Sequence, residues 1–383
     1  MERRDNLYGR RKGKPLSPRR LALMATVYPT LAVDVATAGP GDLRTIFPSP
    51  VSDIRLEIGF GGGEHLIAVA TERNDLGFIG VEPFVNGMAK VVASVADRDL
   101  RNIRLFDGDA VRLLDWLPPA YESTEVAGAG DQAAGALGVG IVEPGPVSVV
   151  LGTSGVVFAV LPAYKPDAQA RVHVFCHAVP GTWHAMGVML SAAGSLAWLS
   201  RAVGASYGEL DEEAARWSPG TEGLLFAPYL AGERTPHADP DARGAFTGLS
   251  LRHDRGALAR ATLEGVAYGL RDSLELLREL GVRPEVGRAS GGGATSDLWL
   301  RIVASVLALP LERTESEEGA AFGAALLAGV RCGVFADAAD AVARCVRVRD
   351  RIDPDPEWSA VYERGYERYR LLYPNLRQLE EPK

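Results

Sequence analysis

Short apolar runs separated by polar helical stretches recur along the first part of the chain. Residues 54–58 predict a β-strand, and the glycine-rich turn after it leads into a helical pattern over residues 64–71. Two further strands are predicted at residues 77–81 and 102–106. Strands that alternate with helices in this way predict a parallel α/β sheet.

The pattern changes after about residue 125. Two apolar runs at residues 147–151 and 156–160, joined by a short glycine-containing turn, predict a β-hairpin. A helix of small residues is predicted over residues 132–139, and another helix begins at about Ser296. Residues 257–280 show the apolar spacing of core helices.

Polar and aromatic positions in the last third of the chain give two further expectations. The acids in residues 257–280 are expected to form a solvated face; they are Glu264, Asp272, Glu275 and Glu279. Aromatic residues near the end of the chain recur at helical spacing and are expected to dock that helix onto the core; they are Trp358, Tyr362, Tyr366 and Tyr369.

Composition indicates a globular chain long enough for two domains. Of 383 residues, 47% are hydrophobic and 23% are charged, with a net charge of −8. Residues 1–20 hold eight basic side chains against two acids, which suits contact with a phosphate backbone or a solvated tail. Three cysteines without metal-ligand spacing predict no metal site and a cytoplasmic location. No apolar run reaches the roughly 18 residues of a membrane span, and the basic N-terminus lacks the apolar core of a secretory signal.

Residues 59–63 form a glycine-rich turn at the end of the first predicted strand. Glycines let a ligand approach the backbone closely, and the following helix offers free N–H groups, although a tight structural turn has the same composition. Glu64 stands where the common dinucleotide fingerprint needs glycine or alanine, which excludes that fingerprint. Glu82 ends the second predicted strand, where an acid can accept hydrogen bonds from ribose hydroxyls.

Four stretches of this part resemble the N-terminal half of the bacterial tRNA (guanine-N7) methyltransferase family: residues 8–16, 56–64, 77–84 and 107–110. The resemblance runs over residues 7–118 and implies S-adenosylmethionine as the cofactor and tRNA as the partner of the basic arm. The cofactor-binding residues that it implies are Glu57, Gly59, Gly61, Glu82 and Asp109. The family's fourth strand, its Pro-Asp-Pro-Trp motif and a later Thr-Asp motif do not follow Pro118. We therefore expect no methyl transfer and an unpaired side of the strand 54–58, which favours aggregation.

The second part carries an acid and two glycine loops. Asp131 stands at the start of the predicted helix 132–139, where its carboxylate can cap the first turn. The hairpin turn offers N–H groups and hydroxyls to phosphate oxygens, or is only a tight β-turn; it consists of Gly152, Thr153, Ser154 and Gly155. The second loop precedes a helix, as at nucleotide sites; it consists of Gly291, Gly292, Gly293 and Ala294.

In this order, and together with residues 228–237 and 317–325, these signals resemble the C-terminal lobe of the FGGY carbohydrate kinases, most closely the xylulokinases. The resemblance covers residues 125–375 and implies ATP with Mg²⁺ as cofactor and D-xylulose as substrate. It implies that Asp131 is the general base for the attacking sugar hydroxyl. The turn 152–155 would hold phosphates, and the loop 291–294 would hold the adenosine. The family's first lobe, with its Asp-x-Gly-Thr loop and metal-binding acid, has no counterpart in residues 1–124.

The expected architecture is α/β throughout. A basic arm over residues 1–20 and a truncated Rossmann-like methyltransferase segment over residues 21–120 precede an RNase H-like, actin-type ATPase lobe over residues 125–375. Three functions stay open: xylulose phosphorylation completed by another chain, tRNA guanine-N7 methylation, or a non-catalytic fusion, from recombination or faulty gene assembly, that binds only nucleotide. Both families lose their complementary half at the same junction, which favours the third function, a non-catalytic fusion, as the present state of the protein. The ancestry of its second part is that of a kinase.

Overall fold

A computed structural model describes residues 15–108, 110–118, 129–316 and 319–379. The chain divides into two compact units, Met1–Glu125 and Val126–Lys383, each with its own hydrophobic core. Residues 1–14 of the predicted arm, the predicted junction and Asp109 lie outside the described residues. Within the described ranges, no helix is long and apolar enough to cross a membrane.

The first unit is built on a three-stranded parallel sheet in the order β1-β2-β3. Its strands are β1 (Asp53–Ile58), β2 (Leu76–Val81) and β3 (Ile103–Phe106). Its helices are α1 (Pro18–Thr26), α2 (Tyr28–Leu31), α3 (Glu64–Glu72), α4 (Val85–Arg98) and α5 (Ala110–Trp116), with a 3-10 helix at Leu43–Ile46. The three predicted strands and the predicted helix 64–71 are confirmed to within one residue at each end.

The central strand β2 is buried along its whole length because helices cover both faces of the sheet. Alternate side chains of a strand point to opposite faces. Accordingly Phe78 joins the core beneath α3 and α4, whereas Ile79 joins the core that includes Phe47 and Leu113. Among the described residues β1 pairs only with β2, so the expected unpaired side of the strand 54–58 is present.

The second unit is built on a seven-stranded mixed sheet in the order β12-β11-β10-β4-β5-β7-β6, with a separate two-stranded sheet of β8 and β9. Its strands are β4 (Val147–Leu151), β5 (Gly155–Leu161), β6 (His173–Cys176), β7 (Trp183–Met189), β8 (Leu225–Ala227), β9 (Ala245–Thr247), β10 (Gly287–Ser290), β11 (Leu311–Thr314) and β12 (Val348–Ile352). Its helices are α6 (Asp131–Gly138), α7 (Ala193–Val203), α8 (Tyr207–Ala214), α9 (Arg255–Glu279), α10 (Asp297–Leu307), α11 (Gly319–Arg331), α12 (Ala338–Cys345), α13 (Pro356–Tyr369) and α14 (Leu372–Arg377).

The predicted hairpin forms the middle of this sheet as β4 and β5. Val156 and Phe158 of β5 pack into the core that includes α6, whereas Val157 and Ala159 pack into the core that includes α9 and α10. A strand that is apolar on both faces is buried between two layers of helices. This three-layer arrangement places the predicted glycine loops at the ends of core strands.

The prediction of a solvated face on the long helix is wrong for Glu264, which is 2% exposed. Its Oε1 lies 2.8 Å from Arg260 Nε and accepts the Tyr362 hydroxyl at 3.0 Å. Burial lowers the pKa of Arg260, whereas the adjacent carboxylate of Glu264 raises it. The net pKa is raised, so the arginine stays charged. The face is buried because α13 covers it, which the spacing of residues within α9 does not show.

Asp272 of the same helix is half-buried, and its Oδ1 accepts the Tyr366 hydroxyl at 2.7 Å. Glu279, by contrast, is exposed as expected. The aromatic residues of α13 behave as predicted, since Tyr362, Tyr366 and Tyr369 are all buried, and Trp358 packs against the same core. The helix therefore docks on α9 through aromatic rings and through the hydrogen bonds of the Tyr362 hydroxyl with Arg260 and Glu264.

Candidate functional site

Two glycine loops that are far apart in sequence meet at the carboxyl ends of neighbouring strands. β4 and β10 pair in parallel, with Val150 opposite Ser290, so the turn after β4 and the loop after β10 leave the sheet at the same edge. Gly291 has a φ of 87°, and a β-carbon there would lie 2.9 Å from the Gly152 nitrogen. The carboxyl ends of parallel strands are where open α/β sheets bind ligands.

The turn after β4 is held by the start of α7. The backbone N–H groups of Ala193 and Gly194 donate to the carbonyls of Gly152 and Thr153, at 2.8 and 3.1 Å. A β-carbon on Gly194 would lie 3.0 Å from the Thr153 carbonyl oxygen. These first N–H groups of α7 are already bonded to the turn, so the helix positions the turn and does not itself offer those donors to a ligand.

The two loops line one cleft of 840 Å³. Gly152 and Gly292 contribute backbone from the two sides, and Trp299 of α10 contributes an aromatic ring. Trp299 is 1% exposed and donates its Nε1 proton to the Leu263 carbonyl at 3.1 Å, which fixes the ring. The volume lies within the range of small-molecule pockets, roughly 300–1,000 Å³. The cleft therefore combines exposed backbone with an immobile apolar wall.

Arg201 and Tyr207 also line the cleft, although no motif in the sequence marks them. Tyr207 is 56% exposed at the first position of α8. Arg201 is exposed and forms no hydrogen bond or ion pair with any residue that the structure describes. Ser206 and Glu209 form a capping box that marks the start of α8 in the sequence. That signal locates the helix but does not show that its first residue faces a cavity.

Not every residue of the two predicted loops lines the 840 Å³ cleft. The Ser154 hydroxyl donates to the Leu190 carbonyl at 3.4 Å. Gly155 begins β5, and a β-carbon there would lie 2.6 Å from a Met189 side-chain carbon, so close packing explains this glycine. Ala294 is 6% exposed and lines a smaller cavity of 180 Å³ beside the first. Gly152, Thr153, Gly292 and Gly293 line the larger cleft.

Asp131 is exposed at the start of α6 and does not line either cavity. It is the first helical residue after Gly130, and its Oδ1 accepts the N–H of Gln132 at 2.8 Å. The predicted capping bond to a first-turn N–H is present, although the residue lies inside the helix. A β-carbon on Gly323 of α11 would lie 1.8 Å from the Ala134 carbonyl oxygen, so close helix packing holds α6 in place.

In the first unit the predicted cofactor turn joins β1 to α3. Gly59, Gly61 and Gly63 have φ angles of 76°, 55° and 73°, in the left-handed region that glycine tolerates best. β-carbons on Gly59 and Gly61 would meet no atom within 4 Å. The backbone at these two positions therefore faces open space in which a ligand fits.

Glu82 holds this turn in position from the end of β2. It is 8% exposed, and its Oε2 accepts the N–H of Gly61 at 2.7 Å while its Oε1 accepts that of Phe84 at 2.9 Å. A carboxylate with two backbone donors is rigidly oriented. Each oxygen retains a lone pair, so this contact and a bond to a ligand hydroxyl are compatible.

Glu57 lies at the end of β1, with its Oε2 3.0 Å from Nδ1 of His65. The structure thus brings four of the five predicted S-adenosylmethionine ligands to one edge of the sheet: Glu57, Gly59, Gly61 and Glu82. The fifth, Asp109, lies outside the described residues.

Another cavity of the second unit, of 570 Å³, is lined by His237 and by Asp272, which the sequence predicted to be solvated. Burial raises the pKa of Asp272 to about 6 and lowers that of His237 to about 4. In the same loop as His237, burial raises the pKa of Glu233 to about 8, although its Oε1 accepts the N–H of Leu190 at 2.9 Å. His237 stacks on Tyr373 at 3.6 Å between ring centroids.

Comparison with known proteins relates the second unit to sugar kinases. Residues 147–332 match the C-terminal domain of the FGGY family of carbohydrate kinases. The xylulose kinase of Staphylococcus epidermidis is 39% identical over 255 residues, which are 66% of this chain and 51% of that protein. The crystal structure of xylulose kinase from Rhodospirillum rubrum superposes with a TM-score of 0.60 at 37% identity, covering 66% of this chain and 51% of that one.

The same comparison relates the first unit to methyltransferases. Residues 52–124 match a putative methyltransferase family. The tRNA (guanine-N(7)-)-methyltransferase of Rhizobium meliloti is 56% identical over 116 residues, which are 30% of this chain and 50% of that protein. The chain spans about half the length of the curated relatives that it matches.

The predicted chimera and the predicted α/β fold are confirmed. The second unit has the actin-like ATPase fold of FGGY kinases, and the first resembles tRNA (guanine-N7) methyltransferases. These families imply ATP and S-adenosylmethionine, respectively, as cofactors in general.

Proposed function

We propose that the second unit is a nucleotide-binding lobe of the xylulose kinase kind, and that its 840 Å³ cleft binds ATP and ADP. The observation that supports this most strongly is the meeting of residues 152–153 and residues 292–293 in one cleft. Each loop alone is a common turn. Together they offer backbone on two sides of a cavity of nucleotide size.

Each side of this cleft contacts a different part of the nucleotide. Gly152 and Thr153 contact the phosphates through their backbone and the threonine hydroxyl, and the loop 291–294 contacts the adenosine. Arg201, which has no partner among the described residues, supplies a positive charge to the phosphates, and the exposed ring of Tyr207 is able to stack on a base.

For the reaction, we propose D-xylulose as the sugar and Asp131 as the general base. The carboxylate of Asp131 accepts the hydroxyl proton as the sugar oxygen attacks the γ-phosphorus, the bond to the bridging oxygen breaks, and ADP leaves. Its exposure at the start of α6 leaves it accessible to a substrate. Among the described residues no group of three or more His, Cys, Asp or Glu side chains could hold a metal ion, so we assign no Mg²⁺ ligand.

We further propose that residues 1–383 bind nucleotide but turn over little D-xylulose by themselves. In this chain the residues that precede the kinase-like unit resemble a methyltransferase, so they do not supply a sugar-binding lobe. Holding two reactants in the correct geometry lowers a barrier by roughly 7–11 kcal/mol, and most of that is lost without the second lobe.

Calorimetric titration of the full chain with ADP tests nucleotide binding, and a coupled assay of ADP formation with and without D-xylulose tests turnover. We expect saturable ADP binding and a rate that D-xylulose does not raise. Absence of ADP binding would overturn the assignment of the cleft. A rate that D-xylulose raises would overturn only the claim that turnover needs a second lobe.

A second function is favoured by the open backbone at Gly59 and Gly61 and by the fixed carboxylate of Glu82. We propose that the first unit binds S-adenosylmethionine through Glu57, Gly59, Gly61 and Glu82, with Asp109 as a further ligand, and that the basic arm contacts tRNA. When bound, the cofactor supplies an electrophilic methyl group. Titration with S-adenosylmethionine, compared for the natural chain and Glu82→Gln, tests this, and we expect weaker binding by the variant.

A further inference from the structure

Among the residues that the structure describes, no strand pairs with the outer side of β1. On the opposite side, the Val33 N–H donates to the Leu105 carbonyl of β3 at 2.8 Å, so that edge is covered. Beyond β1 no strand follows among the described residues, and Ile58 at its end is 45% exposed although it is apolar. An open edge of this kind is a template for another strand.

The hydrogen-bonding groups at this edge can be assigned from the register. The Gly59 N–H donates to the Val81 carbonyl at 2.7 Å, so Gly59 directs its groups toward β2. Residues two apart along a strand direct their groups to the same side. The even-numbered residues therefore direct theirs to the open edge; these are Ile54, Leu56 and Ile58, and the Ile54 N–H is bonded only to the Asp53 carboxylate at 2.8 Å.

Two antiparallel copies of β1 can form a ladder only if the outward residues of one copy lie opposite the outward residues of the other. In three registers, at least two outward residues of each copy have such a partner. A ladder centred on residue 55 places Arg55 against itself, and one centred on residue 57 places Glu57 against itself, so both juxtapose like charges. A ladder centred on Leu56 places Arg55 opposite Glu57 of the partner subunit, and it does so twice.

We propose that the open edge of β1 pairs with β1 of a second copy of this chain, antiparallel and centred on Leu56, to form a six-stranded sheet. Ile54 then lies opposite Ile58 of the partner subunit in hydrogen-bonded positions. Arg55 and Glu57 occupy the non-hydrogen-bonded positions, where facing side chains are closest. Arg55 is exposed and forms no ion pair with any described residue, so its charge is available for this contact.

The test uses the sedimentation of the full chain and its charge-reversed variants. In Arg55→Glu both opposed pairs become acidic, and in Glu57→Arg both become basic, so each variant alone is expected to dimerise about tenfold or more weakly. In an equimolar mixture every opposed pair is again of opposite sign, and the mixed dimer is expected to form as readily as the natural one. Arg98→Glu, which reverses an exposed arginine on α4, is the matched control and should dimerise normally.

Three results would overturn this inference. One is a natural chain that stays monomeric, which would show that the edge is covered in another way. Another is an Arg55→Glu variant that dimerises as tightly as the natural chain, which would place the contact elsewhere. The third is a mixture of the two variants that associates no better than either alone. Because the mixture contains the same two chains, a recovery of association on mixing cannot be explained by an effect of either substitution on folding, and circular dichroism of each variant confirms that it is folded.

Discussion

Gly291 lies so close to Gly152 that a β-carbon on Gly291 would be 2.9 Å from the Gly152 nitrogen and 2.8 Å from the Leu151 carbonyl carbon. Its φ of 87° also lies in the region that side chains rarely adopt. This contact joins the two loops of the proposed nucleotide cleft. The neighbouring Gly292 has open space around its α-carbon instead.

Replacement of Gly291 by alanine is expected to destabilise the second unit by about 1–3 kcal/mol, because the new methyl group meets backbone atoms and the conformation is strained. Urea denaturation followed by circular dichroism measures this. Gly292→Ala is the matched control and should change the unfolding free energy by less than about 1 kcal/mol. Equal stability of the two variants would contradict the close approach of the loops.

Replacement of Gly292 by leucine is expected to weaken ADP binding by about tenfold or more, because the side chain enters the cleft. Since no protein atom lies within 4 Å of a β-carbon at this position, the fold should tolerate the change. Calorimetric titration with ADP measures the affinity. Gly41→Leu, at an equally open glycine of the first unit, is the control and should leave ADP binding unchanged. Unchanged binding by Gly292→Leu would place the nucleotide elsewhere.

Replacement of Glu264 by alanine is expected to cost about 3–5 kcal/mol of unfolding free energy, because it leaves the charge of Arg260 buried without a carboxylate. The double variant Arg260→Met, Glu264→Leu should be more stable than Glu264→Ala, since no buried charge remains. Denaturant unfolding of the variants separates these cases. A double variant that is the less stable of the two would show that the unpaired charge of Arg260 is not what destabilises Glu264→Ala.

Relative to the variant Glu233→Gln, the second unit is expected to lose stability as the pH rises from about 6.5 to about 8. Burial raises its folded-state pKa to about 8 from an ordinary value of 4.5. Between these values the folded state binds more protons than the unfolded state, so the free energy of unfolding decreases with rising pH. The expected decrease is about 1–2 kcal/mol over this window.

Denaturant titrations at several pH values between these limits measure the slope, and Glu233→Gln should remove it. Burial lowers the folded-state pKa of several histidines below the ordinary 6.5, which makes the fold more stable as the pH rises through that value and so opposes the Glu233 slope; they are His173, His177, His184 and His237. The difference between the natural chain and Glu233→Gln removes their contribution. A slope that persists unchanged in Glu233→Gln would assign it to another group.

Much of the local structure was predictable from the sequence because it depends on neighbours along the chain. The strand and helix bounds of the first unit follow from alternation of apolar and polar residues and from the glycine turn at residues 59–63. Ser296, which caps α10 by accepting the Trp299 N–H at 3.0 Å, marks a helix start that the sequence shows directly. The two family resemblances rest on the same short motifs.

The burial of Glu264 was not predictable, because its partners lie in other parts of the chain. Thr221 donates its hydroxyl to Glu264 Oε2 at 3.0 Å, and Tyr362 reaches Oε1 from α13. An acid at a polar-looking helix position is ordinarily solvated, and only the packing of α13 on α9 reverses that expectation.

The sequence by itself determined the two families, the glycine loops and the bounds of the elements beside them, since each of these is encoded in a continuous stretch of residues. Tertiary structure alone decided that residues 152–153 and 292–293 share a cleft, that Arg201 and Tyr207 line it, and that Gly155 serves packing. These are relations between distant residues, which depend on the pairing of β4 with β10 and the placement of helices on the sheet.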